Sequence, residues 1–208
     1  MRFKQLITNQ LTEISDETIT SLRYYAFYNL SNLESVSLPN LKQGVYYGFA
    51  GCSKLTNVYL PNMYNGNSLF GRYMFSGCTS LKFIELPKVN RVVYTMFANC
   101  SNLETISSTN LSLIENYSVS GCSKLSNLVL KGNRVTSLES ADSLNGTPFK
   151  TGNNGGGTAY VPKNLIINYQ ADAVWIQIPY VTFLAIEDNI EKLRALGADV
   201  SDYEEATE

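Results

Sequence analysis

The chain has 208 residues, a formal charge of −2, no histidine, and charged residues make up 16 % of it. The charge is uneven: residues 1–186 carry 14 Lys/Arg against 10 Asp/Glu (+4), and residues 187–208 carry 2 against 8 (−6). A body this weakly basic, with no Lys/Arg cluster, points away from nucleic acid, and its apolar runs fall far short of the ~20 residues that insertion into a membrane needs.

From the N-terminus, residues 1–20 read as an incomplete first turn, with Leu11 and Ile14 at the spacing of later apolar pairs. The start carries basic residues but neither a long apolar core nor a small-residue cleavage site, so it is not expected to act as a signal peptide, or the signal has been removed. A repeat then begins. FYNLSNLESVSLP (Phe27–Pro39), FAGCSKLTNVYLP (Phe49–Pro61), FSGCTSLKFIELP (Phe75–Pro87), FANCSNLETISST (Phe97–Thr109) and VSGCSKLSNLVLK (Val119–Lys131) share one pattern. Their first residues lie 22, 26, 22 and 22 positions apart. A fixed period of this size predicts a solenoid, in which each turn buries its apolar positions against its neighbours.

Within each repeat, L-x-x-V-x-L alternates like a short strand. Leu55, Val58 and Leu60 are expected to face the core, Asn57 and Tyr59 to face out, and Pro61 to end the strand. The phenylalanines are expected to stack as a spine. Cys52, Cys78, Cys100 and Cys122 hold one position of successive turns, where the first full repeat has Leu30. Ligands placed one per turn form a line and not a tetrahedron. The cysteines therefore read as a ladder of small buried thiols.

Two departures stand out in the repeats. Four additional residues precede Phe75, and Asn65-Gly66-Asn67 reads as a loop bulging outward. Ser108-Thr109 replaces Leu-Pro in the fourth repeat, which predicts a register change or a weak seam there, because an inward serine needs a partner. Residues 145–162 are rich in Gly, Asn and Thr; Gly155–Gly157 has no following Lys and lacks phosphate-loop spacing, and reads as a turn into a strand at Thr158–Val161. A short helix over Lys163–Gln170, Trp175 as the plug of the core and a strand at Val181–Ile186 follow. A last helix is expected to start at Asp188, with Glu191 completing a capping box. Ile190, Leu193 and Leu196 form its apolar stripe, Gly197 ends it, and an acidic tail closes the chain.

Ala26-Phe27, Cys52-x-x-Leu55 and the pairs Leu38-Pro39, Leu60-Pro61 and Leu86-Pro87 resemble the BspA-like leucine-rich repeat family, whose repeats read AF-x-x-C-x-x-L-x-x-I-x-L-P. Asn145–Phe149, Gly157–Pro162 and Leu165, Tyr169 and Trp175 look like the family's closing segment. The fold expected is thus a leucine-rich repeat solenoid of short β-strands stacked in ladders, with few helices and an α/β C-terminal cap. Its parts would be a partial repeat at 1–20, the solenoid at 21–144, the capping segment at 145–186, and the terminal helix and tail at 187–208. The resemblance implies adhesion and protein binding at bacterial and parasite surfaces, and it extends to proteins encoded near bacteriophage tail genes. A virion or cell-surface setting is expected over a cytoplasmic one.

No chemistry points to an enzyme: without histidine, Ser/His and Cys/His nucleophile pairs cannot form, and the scattered carboxylates make no hydrolase-like pair. No cofactor or metal is expected. The outward strand positions are the candidate ligand face: Asn57, Tyr59, Lys82, Phe83, Glu85 and Val129, of which the aromatic and apolar members would mark contact with a protein or carbohydrate surface. Tyrosines before each repeat (Tyr24, Tyr25, Tyr46, Tyr47, Tyr73, Tyr94, Tyr117) suggest a second striped surface. The helix at 188–197 is expected either to close the stack or to dock the chain into an assembly as a spacer.

Overall fold

The computed structural model describes residues 10–65 and 69–203. Every repeat contributes one short strand where L-x-x-V-x-L predicts it. β1 (Glu13–Ser15), β2 (Ser35–Ser37) and β3 (Asn57–Tyr59) pair in parallel as one sheet. The next three strands of this edge are β4 (Phe83–Glu85), β6 (Thr105–Ser108) and β8 (Asn127–Leu130). A second parallel edge is built from β5 (Arg91–Val92), β7 (Leu113–Ile114) and β9 (Ser137–Leu138), each lying between two strands of the first edge in sequence. A one-turn helix α1 (Pro148–Thr151) follows, then β10 (Gly157–Val161), α2 (Ile166–Ala171), β11 (Val181–Ala185) and α3 (Ile190–Ala195). β10 and β11 extend the first edge, giving a five-stranded sheet in the order β11-β10-β8-β6-β4. This is a repeat fold with parallel sheets and few helices.

Between the two edges lies one continuous core. Phe27, Phe49, Phe75 and Phe97 stack nearly parallel, with ring centroids 5.3, 5.7 and 5.5 Å apart. The four cysteines are free thiols without measurable exposure. Each donates to the phenylalanine carbonyl one turn back: Cys52 to Phe27, Cys78 to Phe49, Cys100 to Phe75 and Cys122 to Phe97, at 3.0–3.2 Å. A thiol is small enough to fit under the next ring and still gives that carbonyl a weak donor. Burial pushes the Cys52 thiol up to about 12 and also holds Cys78 well above the ordinary range. The turn before each cysteine needs a left-handed residue; Gly51, at φ 76°, fills it where a Cβ would meet the Asn29 side chain at 2.0 Å.

The end of the stack closes as the sequence suggests. Trp175 is fully buried, its indole Nε1 donates to the Thr136 carbonyl at 2.7 Å, and its ring packs edge-on against Tyr169. The Phe149 ring sits against Gly157, where any side chain would collide with it.

The seam lies elsewhere than expected. Ser108 keeps the register of β6 against β8, and its hydroxyl donates to the carbonyls of Leu86 and Val89 at 2.9 and 3.2 Å. Carbonyls of the preceding turn thus satisfy the serine, so the ladder runs through it. It breaks instead between β3 and β4, which pack side by side without pairing. This is the position of the four additional residues, of which Gly66 and Asn67 lie outside the described part of the chain.

Asn65 is not the exposed turn residue that the sequence suggests. It is fully buried, its side-chain amide donates to the Arg91 carbonyl, and its carbonyl oxygen accepts from the Arg91 N–H at 3.3 Å. On the second edge, one asparagine side chain thus ties the turn before the break to β5 after it. Asn65→Ala leaves both Arg91 groups without that partner, and a loss of about 2 kcal/mol is expected, since an unsatisfied buried group costs about 1–3 kcal/mol. The urea midpoint should fall, and Asn65→Asp, which sets a carboxylate oxygen against the Arg91 carbonyl, should lose at least as much.

Candidate functional site: the outer faces of the strand ladder and of the turns

The outward side chains of the first edge fall into two halves. Over β1–β3 they are open. A shallow groove of about 370 Å³ is lined by Glu13, Ser35, Ser37, Asn57 and Tyr59, with Phe83 at its far wall beyond the seam. Tyr59 is 58 % exposed and Asn57 is exposed beside it. The residues that put Tyr59 here are the buried Leu55 and Leu60 on either side, which fix the strand's inward face and so the outward one.

Over β4–β11 the same face is covered by the chain's own C-terminal segment. Leu193, Ala198 and Val200 join Val129, Tyr160 and Ile186 in a second apolar cluster, with Phe83, Leu184, Ile190 and Leu196 packed against it. Val129 is therefore fully buried, which overturns its reading as an exposed contact residue. Phe83 is half-buried, and Ser107 and Thr105 are buried as well. Lys82 remains exposed. The physical reason is the register column Glu85–Ser107–Val129–Tyr160–Leu184, which becomes apolar toward the C-terminus. That drift was the signal in the sequence: an apolar stripe on an outward face asks for a cover, and the stripe Ile190, Leu193, Leu196 supplies it.

Glu85 is a clamp for this cover. Its carboxylate accepts from Ser107 Oγ at 3.0 Å, pairs with the Lys131 ammonium, and accepts from the Asp199 N–H at 3.1 Å. Lys131 Nζ also donates to the Asp199 carbonyl at 2.6 Å, and the Tyr203 hydroxyl donates to the Lys131 carbonyl at 2.9 Å. Burial, reinforced by nearby Glu187 and Asp202, pushes the Tyr203 phenol up to about 12. Asp199 is held below its ordinary value by the N–H and hydroxyl of Ser201. Its contribution is present above pH 3.8 and is lost as pH falls through the lower folded value.

The start of α3 departs from the expected capping box. Asn189 occupies the N-cap position without a side-chain cap bond, Asp188 pairs instead with Lys163 Nζ at 3.0 Å, and Glu191 pairs with Arg194. Gly197, at φ 91°, does end the helix against Phe83.

A second outer surface lies on the turns before each repeat. Eight tyrosines form one run of ring contacts there. Tyr25, Tyr47 and Tyr73 stack almost parallel, 4.7 and 4.5 Å apart. Tyr94 meets Tyr73 edge-on at 6.3 Å and Tyr117 at 5.8 Å, and the Arg72 guanidinium lies 5.7 Å from the Tyr94 ring centre. Tyr25, Tyr47, Tyr73 and Tyr117 all have φ between 54° and 61°. A left-handed backbone at a bulky residue costs about 1–3 kcal/mol and persists only where the surroundings hold it. The sequence marked these tyrosines as a stripe but gave no sign of this backbone.

Residues 3–107 and 47–151 match the family described as BspA type leucine rich repeat region, in six copies. Among solved structures, the pneumococcal vaccine antigen PcpA is similar in fold, with a TM-score of 0.59 at 17 % identity over 83 % of this chain. The chain spans only 40 % of the length of that protein. No curated protein matches it. Among the described residues no helix is long and apolar enough to cross a membrane.

Proposed function

The chain belongs to the BspA-type leucine-rich repeat family, and from that premise we propose that it is a non-enzymatic solenoid module that binds a protein or glycan surface through the open half of its strand face. The observation that carries this reading is the contrast between the two halves. Over β4–β11 the face is already filled by the C-terminal segment, while over β1–β3 it leaves a groove with an exposed tyrosine in it. An exposed aromatic on a rigid ladder offers contact area at small entropic cost. Asn57 and Tyr59 are the central contacts, with Lys82 and Phe83 at the rim. Glu85 is spent on the clamp.

The setting we infer is an exposed one, on a cell surface or a virion. The family supports a surface-binding role, and the fold likeness to a bacterial antigen favours the cell. With the C-terminal segment folded back on its own strand face, α3 acts in this reading as a cap and not as a dock to a larger assembly.

The test is binding of the intact chain to a panel of immobilised surface glycans and surface proteins. Tyr59→Ala and Asn57→Lys lie on exposed positions and should leave the melting temperature nearly unchanged. Against whichever panel member binds, Tyr59→Ala should weaken binding at least about tenfold, as an aromatic anchor does. Unchanged binding in both variants removes the groove as the site.

A further inference from the structure

The tyrosine surface on the turns is not used by the groove, and it combines four features. Its rings touch over five successive turns, so it is a continuous strip. Much of it is solvent-exposed: Tyr24, Tyr25 and Tyr117 are 60, 53 and 49 % accessible. At five successive aligned positions the backbone is left-handed, and four of them carry a tyrosine (Tyr25, Tyr47, Tyr73, Tyr117) and one Thr95, where Gly or Asn would be the easy residue. Over its first three turns its charge has one sign: stretches 20–28, 41–49 and 69–77 hold Arg23, Lys42 and Arg72 and no carboxylate, whereas at its far end the Glu139 carboxylate accepts from the Asn116 N–H beside Tyr117. In the next two turns Arg91 and Glu115 neutralise each other at 3.0 Å.

We propose that this strip binds an acidic polysaccharide lying along the stack. The stacked rings of Tyr25, Tyr47 and Tyr73 cover one another's faces, so they present edges and hydroxyls in a row at 4.5–4.7 Å. A peptide strand laid along that row would bring a same-face residue only every ~6.6 Å, two residues of strand rise, and would fall out of step with the tyrosines. A sugar chain needs no such register, because every unit carries hydroxyl and ring oxygens for the phenols to bond. Carboxylates on the sugars would be drawn by Arg23 and Arg72, a contact that salt weakens. The left-handed turns then have a use. They carry the three rings that stand in line, Tyr25, Tyr47 and Tyr73; in the next turn, where Thr95 holds the left-handed position, the ring comes from Tyr94 and the stack turns edge-on.

The experiment is retention of the full chain on immobilised polygalacturonate, with dextran as the uncharged control and poly-glutamate as the peptide control. The expected result is binding to polygalacturonate that falls with salt, and little to either control. The triple variant Tyr25→Asn/Tyr47→Asn/Tyr73→Asn suits the left-handed backbone and should keep the native circular dichroism while losing at least about tenfold in affinity. Arg23→Gln with Arg72→Gln should flatten the salt dependence. Tyr59→Ala, in the groove, should leave this binding intact, which separates it from the groove reading. The proposal is overturned by absence of polygalacturonate binding, by equal retention on poly-glutamate, by unchanged affinity in the triple variant, or by loss of binding in Tyr59→Ala.

Discussion

Phe75→Ala is expected to lower stability by about 3–5 kcal/mol, the usual cost of removing a buried aromatic ring, and to split one unfolding transition into two. Phe75 is fully buried and stacks on Phe49 and on Phe97, so both contacts go at once. Its place in the chain makes the second effect. Between β3 and β4 the strand ladder is interrupted. Across that seam the turns are tied by the Phe49–Phe75 stack and by backbone bonds from Phe49 N–H to the Met74 carbonyl and from Gly51 N–H to the Ser76 carbonyl. The Asn65 bridge ties the other edge. In a stacked repeat, cooperativity is the sum of such neighbour contacts. Weakening the seam should let the part before it melt first. Calorimetry would register two peaks, or a calorimetric enthalpy above the van't Hoff value. Phe97→Ala, inside the unbroken ladder, should cost a similar amount yet keep one transition. A single transition in Phe75→Ala would show that the seam does not divide the stack.

Lys131→Met is expected to cost about 3 kcal/mol, near the lower end of what breaking a buried ion pair costs. The Lys131 side chain is 7 % exposed and that of Glu85 20 %, so the carboxylate left behind can recover only part of its hydration. The Asp199 carbonyl loses its ammonium donor in the same step. The loss should be concentrated in the C-terminal segment, visible as faster proteolysis after Ile186 and as binding of an apolar dye to the uncovered Val129 and Tyr160. Replacing both partners, Lys131→Met with Glu85→Leu, should recover most of the stability, because the penalty comes from the orphaned charge and not from the absence of the pair. If the double variant is no better than the single one, the clamp is held by something other than this charge.

Much of the fold could be read from the sequence because a repeat states its packing several times over. The period put the strands in place, the Phe, Cys and Leu columns named the core, and Trp175 and Tyr169 closed its end where expected. The candidate site was less legible. Asn57 and Tyr59 do face water, as alternation within a strand requires, but alternation says only that a side chain leaves the core. Whether it then meets solvent or another part of the chain depends on segments far away in sequence. Val129 and Asp199 are 70 residues apart, and Glu85 meets Asp199 across 114.

By itself, then, the sequence determined the stacked parallel strands, the buried thiols and the aromatic spine, all of which follow from local periodicity and contacts one turn away. The tertiary structure alone decided three things. It placed the seam at β3–β4 and gave Asn65 the task of bridging it, because only the packed geometry reveals which backbone groups lack a partner. It covered half of the strand face, because a short apolar helix docks wherever the nearest apolar column lies. And it lined up the tyrosines on left-handed turns, since the backbone there answers to neighbouring turns over the residue's own preference.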